Sequence, residues 1–303
     1  MEFELDLSNL KGMGLSTDPS LPSEHGEKTT DTDIENLSKH VSGFVTLEIP
    51  GLLKDHKLHS RIKKENKSTV LFIPGGIGYT YALDSTQFPK GYVLPLNLFA
   101  YWPDDINLIV ADMSHGLGWT WHKDSKIHLK NIDKQKHQYL LGKAFPGKWT
   151  SELIEAFYDL RTITRYVKET TGSNLWLAGH CSSCDLISRF YDFVDDKSDM
   201  SGLILTNPLW HDYYWKPRDL IRYFHGPVDI PLLSVQHEQD PNKGTHPDIA
   251  KKILNESKSP LAEYVGLTGG INQGLPHFSM GYHGFRDIED QLVSSMVDFI
   301  KKC

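Results

Sequence analysis

The 303-residue chain is poor in cysteine, with only Cys181, Cys184 and Cys303. Three thiols cannot build a disulfide framework, so each is expected in reduced form and open to a chemical role. No excess of positive charge is present either. The formal net charge is -7 and the isoelectric point is near 6.1, which excludes the electrostatic footprint of a nucleic-acid binder. The short basic run at residues 61–64 reads as solvated loop. No stretch approaches the roughly 18 apolar residues of a membrane span. The opening MEFELDLSNLKGMG lacks a basic segment followed by an apolar one, so no secretory leader is expected and a cytoplasmic setting is. Neither internal repeats nor low-complexity tracts are found.

What the chain does have is 39% hydrophobic residues, enough for a packed core in one large domain. Residues 1–40, rich in Ser, Thr, Asp, Glu and Lys without period, read as a flexible N-terminal extension; the folded domain is expected over 41–303. Within it FVTLEI (44–49), KLHSRI (57–62), STVLFI (68–73), INLIVAD (106–112), LWLAGH (175–180), GLILTN (202–207) and PLLSVQ (231–236) predict strands. Residues 151–172 and 286–302 carry apolar residues at helical spacing. Alternation of apolar strands with helices implies a mainly parallel sheet covered on both faces, with ligands at the carboxyl ends of its strands. Two irregular stretches, near 119–148 and 209–230, interrupt it. The second holds Trp210, Tyr213, Tyr214, Trp215, Tyr223 and Phe224, dense enough to suggest a short lid, although packing would also require such rings.

The stretch LWLAGHCSSCDLISRFY (175–191) is an apolar run that breaks at a glycine and resumes with helical spacing. A strand turning abruptly into a helix strains the residue at the turn and lifts its side chain above the sheet, and it needs small neighbours two positions away. Gly179 and Ser183 flank Cys181 in this way. A helix N-terminus there would favour a thiolate.

Gly179-His180-Cys181-Ser182-Ser183 resembles the nucleophile elbow of the α/β-hydrolase fold, with Ser183 where that family usually has glycine. Serine is the usual nucleophile, and a minority, including dienelactone hydrolases and polyhydroxyalkanoate synthases, uses cysteine. The resemblance extends over about residues 41–302. VLFIPGG resembles the family's oxyanion strand and loop, and VADMSHGLG its Asp-x-x-Gly-His-Gly turn. It implies an acid and then a histidine after the nucleophile. Asp240, in PLLSVQHEQDP, is the expected acid, with Glu238 as its competitor. His277, in GLPHFSMGY, is the expected base, with His283 as its competitor. The amides of Ser182 and Gly76, or the neighbouring Ile77, would hold the oxyanion. Trp210, Tyr214 and Trp215 are candidate substrate contacts.

The expected function is acyl transfer from a small-molecule ester, lactone or thioester through an S-acyl intermediate on Cys181, with no metal or organic cofactor. Three other readings compete. The acyl group could pass to an acceptor other than water, as in an acyltransferase or cyclase. Cys181 and Cys184 form a C-x-x-C sequence, which could serve thiol-disulfide exchange, although about 180 residues precede the pair and no second C-x-x-C completes a zinc site. A non-catalytic ligand-binding member of the fold is the third, opposed by the intact Cys, Asp and His set.

Overall fold

Strands made of unbroken apolar residues must be covered on both faces, and the chain supplies several. In the computed structural model, which describes residues 45–53, 56–75, 98, 101–112, 150–209, 223–224, 226–270, 272, 281–285 and 287–303, they form one eight-stranded sheet. The strands are β1 (Val45–Leu47), β2 (Lys57–Arg61), β3 (Ser68–Ile73), β4 (Asn107–Asp112), β5 (Asn174–His180), β6 (Gly202–Thr206), β7 (Leu232–His237) and β8 (Ala262–Leu267). Their spatial order is β1-β2-β4-β3-β5-β6-β7-β8. β1 and β2 run antiparallel at one edge, and from β4 to β8 every neighbouring pair is parallel. The expected extension (1–40), the 119–148 segment and most of the 209–230 connector lie outside the described residues.

Successive side chains of a strand point to opposite faces, and here both faces are apolar. Leu71, Ile73, Leu175, Leu177, Leu203 and Leu205 face one core with helix α1 (Thr150–Thr171), helix α2 (Ser182–Phe193) and helix α3 (Pro247–Ser257). Val70, Phe72, Trp176, Ala178, Ile204 and Val235 face the other, closed by helix α4 (Glu289–Lys302) through Leu292, Val293, Met296 and Ile300. Gly172, at φ 64, ends α1 because only glycine enters the left-handed region without cost. Tyr223 and Phe224, the described aromatics of the connector, are buried in the first core, so these two rings pack rather than cover a pocket.

Register brings the carboxyl ends together. Ile73 pairs with Gly179, His180 with Thr206, and Thr206 with Val235, so the loops after β3, β5, β6 and β7 leave from one edge of the sheet. β3 lies between β4 and β5, and connections leave in opposite directions there, the kind of switch point at whose carboxyl ends open α/β sheets bind ligands. Two elements were not legible as such. α3 starts at Pro247 behind a His246 cap, whose Nδ1 accepts from Asp248 N–H at 3.3 Å, and its polar face carries Lys251 and Lys252. β8 is a half-exposed edge strand without a buried run.

Leu177 lies wholly buried in central β5. Leu177→Ala is expected to lower stability by about 2–5 kcal/mol through lost transfer energy plus a residual cavity, read as a lower urea midpoint with unchanged secondary structure.

Candidate active site

β5 passes into α2 with a single residue between them, and that residue is Cys181 at φ 54 and ψ -117. Such a backbone costs on the order of 1–3 kcal/mol for a non-glycine residue and persists only where its surroundings over-determine it. Here they do. Cys181 N–H donates to Thr206 O at 3.0 Å, and Cys181 O accepts from Cys184 N–H and Leu209 N–H, each at 3.1 Å. Gly179 is required because a Cβ there would lie 2.7 Å from Ser183 O. Gly75, just past β3, approaches so closely that its Cβ would meet Cys181 Cβ at 2.9 Å. The Ser183 hydroxyl, in the position where glycine is usual, donates to Pro74 O and ties α2 to the end of β3.

Past β7 the chain turns at Asp240, whose carboxylate is buried and fully used. Oδ1 accepts from Asn242 N–H at 2.9 Å, and Oδ2 accepts from the Thr245 hydroxyl at 2.7 Å and from His283 Nδ1 at 2.7 Å. His283 lies in a single 3-10 turn (Gly281–Gly284) before α4 and is 1% exposed. Burial alone would lower its pKa, but the charges of Asp240 and Cys181 outweigh burial and hold it well above the ordinary histidine value. Glu238 points elsewhere, accepting from the Tyr264 hydroxyl at 2.7 Å.

Other buried polar side chains surround this pair. The His180 ring stands 5.0 Å from that of His283, centroid to centroid. Its Nδ1 bonds the Thr206 hydroxyl at 3.0 Å, and that hydroxyl donates to Gly179 O at 3.0 Å. A hydroxyl has one proton to give, so His180 Nδ1 is the donor in this chain of bonds. Burial and the nearby His283 charge push the His180 pKa well below the ordinary value, leaving a neutral ring beside a charged one. Cys184 is wholly buried, its thiol donating to Gly179 O at 3.0 Å, and burial drives its pKa well up.

No family model and no curated protein matches this chain. Solved structures do. An esterase of Pyrobaculum calidifontis aligns at 15% identity and TM-score 0.51, over 87% of this chain and 89% of its own. Est1E of Butyrivibrio proteoclasticus with ferulic acid bound gives 12% and 0.51, over 85% and 98%. An esterase of Pyrococcus furiosus gives 11% and 0.50, over 86% and 92%. The fold is that of the α/β-hydrolases.

Within this α/β-hydrolase sheet, three carboxyl-edge loops bring Cys181, Asp240 and His283 together. His277, Gly76, Ile77, Trp210, Tyr214 and Trp215 lie outside the described residues. Ser182 follows Cys181 at the start of α2 and is buried. Sequence reasoning missed Thr245, which donates to Asp240, and Asn207, whose side chain bonds His283 O at 2.6 Å. The one local signal for Asn207 was an amide residue directly after a buried strand, a position that tolerates positive φ. Among the described residues no His, Cys, Asp and Glu group could hold a metal ion, and no helix is long and apolar enough to cross a membrane.

The two histidines have opposite linkage to pH. His283 has a raised folded pKa, so its stabilisation is complete below the ordinary value of 6.5 and is lost as pH rises through the raised one. His180 has a depressed folded pKa, so the unfolded chain takes up the extra proton below 6.5 and stability falls on that side. Thermal midpoints on both sides of neutrality check this: His283→Gln is expected to flatten the alkaline decline, and His180→Gln the acid one.

Proposed function

We propose that this protein is a hydrolase that cleaves an ester, lactone or thioester through a thioester formed on Cys181. One observation carries the reading: the strained elbow presents Cys181 beside a buried His283 whose Nδ1 is fixed by Asp240 at 2.7 Å. The base in this proposal is His283 rather than His277. Its Nδ1 is taken by the carboxylate, so Nε2 is the nitrogen that exchanges protons with Cys181 and with the leaving group.

In the first half-reaction Cys181 Sγ adds as a thiolate to the substrate carbonyl carbon while its proton rests on His283. The tetrahedral oxyanion collapses, the bond to the leaving oxygen or sulfur breaks, and His283 returns the proton to that atom. In the second, the now neutral His283 takes a proton from water, the hydroxide adds to the thioester carbonyl, and Cys181 leaves as the thiolate beside the protonated His283. Asp240 stays ionised throughout and stabilises the imidazolium. The Ser182 and Gly76 amides are assigned to the oxyanion; the close approach of Gly75 to Cys181 supports that assignment, since it brings the backbone after β3 alongside the elbow. Trp210, Tyr214 and Trp215 are assigned to the acyl group. The chemistry calls for neither metal nor organic cofactor.

The named esterases among the structural neighbours support an ester-like substrate. Transfer to an amine or alcohol would use the same thioester and differs only in the acceptor. Thiol-disulfide exchange is disfavoured because the Cys184 proton is committed to Gly179 O in a buried site.

Peptide mass spectrometry after brief exposure to p-nitrophenyl acetate tests the proposal. An acetyl group on the Cys181 peptide is expected, absent in Cys181→Ala and formed about 10²- to 10⁴-fold more slowly in His283→Gln. Added amines or alcohols that accelerate loss of the acetyl group would assign a transferase. No adduct, with Cys181 and Cys184 cycling through a disulfide, would defeat it.

A further inference from the structure

We propose that Asn207 is a positioning residue that holds the His283 turn in register with the Asp240 loop, an inference that rests on the acyl-transfer reading above. Asn207 follows β6 at φ 43, a left-handed conformation that turns its side chain into the interior, where it is wholly buried. Both ends of its amide are engaged. Nδ2 donates to His283 O at 2.6 Å and reaches Tyr282 O at 3.4 Å, while Oδ1 accepts from His237 N–H at 2.8 Å. Its own N–H donates to Val235 O at 2.9 Å. The orientation of the amide is dictated by its partners, since carbonyls stand at one end and an N–H at the other.

These bonds join the two loops whose side chains must meet. His237 is the last residue of β7, and Asp240 N–H donates to His237 O at 3.1 Å. The His237 ring is itself fixed: Nδ1 accepts from Gln239 N–H at 3.1 Å and Nε2 donates to Gly269 O at 2.9 Å. It stacks on Tyr282, the neighbour of His283, at 4.3 Å between centroids. His283 is therefore held at two points, through its ring by Asp240 and through its backbone by Asn207. A single hinge at the ring would let the turn tilt and carry Nε2 away from Cys181. Serine is too short to span both partners, and aspartate cannot donate to a carbonyl.

Asn207→Asp tests this directly, because it keeps the acceptor for His237 and replaces the donor to His283. Nitrogen-proton spectra of histidine-labelled protein, with His283→Gln for assignment, report whether His283 Nδ1 keeps its proton and its bond to Asp240. Acetylation of Cys181 by p-nitrophenyl acetate is followed across pH in parallel. The expected result is an altered His283 signature, a shifted pH profile, and a maximal acylation rate lowered about 10- to 100-fold with little change in KM. Asn207→Ser carries the same test should the aspartate variant not fold. Wild-type spectra and a wild-type pH profile in the folded variant would overturn the inference, even with a reduced melting temperature. Should wild-type protein fail to acetylate, the acyl-transfer reading falls, and the His283 spectra still decide whether Asn207 positions that ring.

Discussion

The carboxyl edge of the sheet depends on the backbone of one residue. Cys181 adopts φ 54 and ψ -117, a conformation that no side chain of its own rewards. It is imposed by β5 running into α2 without a spacer and is maintained by hydrogen bonds to Thr206, Cys184 and Leu209. Each of those bonds also fixes something else. Thr206 orients His180, Cys184 seals the space beneath the elbow, and Leu209 sets the exit of the chain after β6. α2 can follow so abruptly because almost all of it is interior: every residue but Asp192 is buried, with Asp185 and Arg189 paired at 2.7 Å one turn apart. Removing either partner of such a pair leaves an uncompensated charge. The strain at the elbow is thus spread across a helix that has little freedom to relax it.

The elbow was legible in sequence because it is local. A continuous apolar strand, a glycine two residues before the turn and a small residue two after are features of one short stretch. Most strands were legible for the same reason. Asp240 could be named because it follows a buried run, and the structure directs its carboxylate, not that of Glu238, to a histidine. The identity of that histidine was not legible. His277 and His283 both stand between a glycine-rich loop and the last helix, and the choice rests on the path of a loop, which is set by contacts far along the chain. Asn207 was hidden for the same reason, since its partner lies 76 residues away; Thr245, only 5 residues from Asp240, was hidden because no periodicity encodes a hydroxyl-to-carboxylate contact within a loop. β8 escaped because an edge strand needs only half a hydrophobic pattern.

Ser183 shows how a departure from a usual pattern is absorbed. A side chain at this position must fit between the elbow and the end of β3, and its hydroxyl would be costly to bury without a partner. Pro74 provides an acceptor. The close approach that favours glycine here is kept, and the added atoms become a bond between the two loops that bracket the proposed oxyanion position.

The bonds that assemble the site span wide separations in sequence, 43 residues between Asp240 and His283 and 76 between Asn207 and His283. Loop-closure entropy opposes such contacts until the intervening chain is already ordered. The constellation is therefore a late product of folding: the sheet must close from β3 to β7 before a histidine arriving from beyond β8 has anything to meet. A partly folded chain would hold the elbow cysteine without its histidine, and the completed site is a signature that the whole parallel sheet has formed.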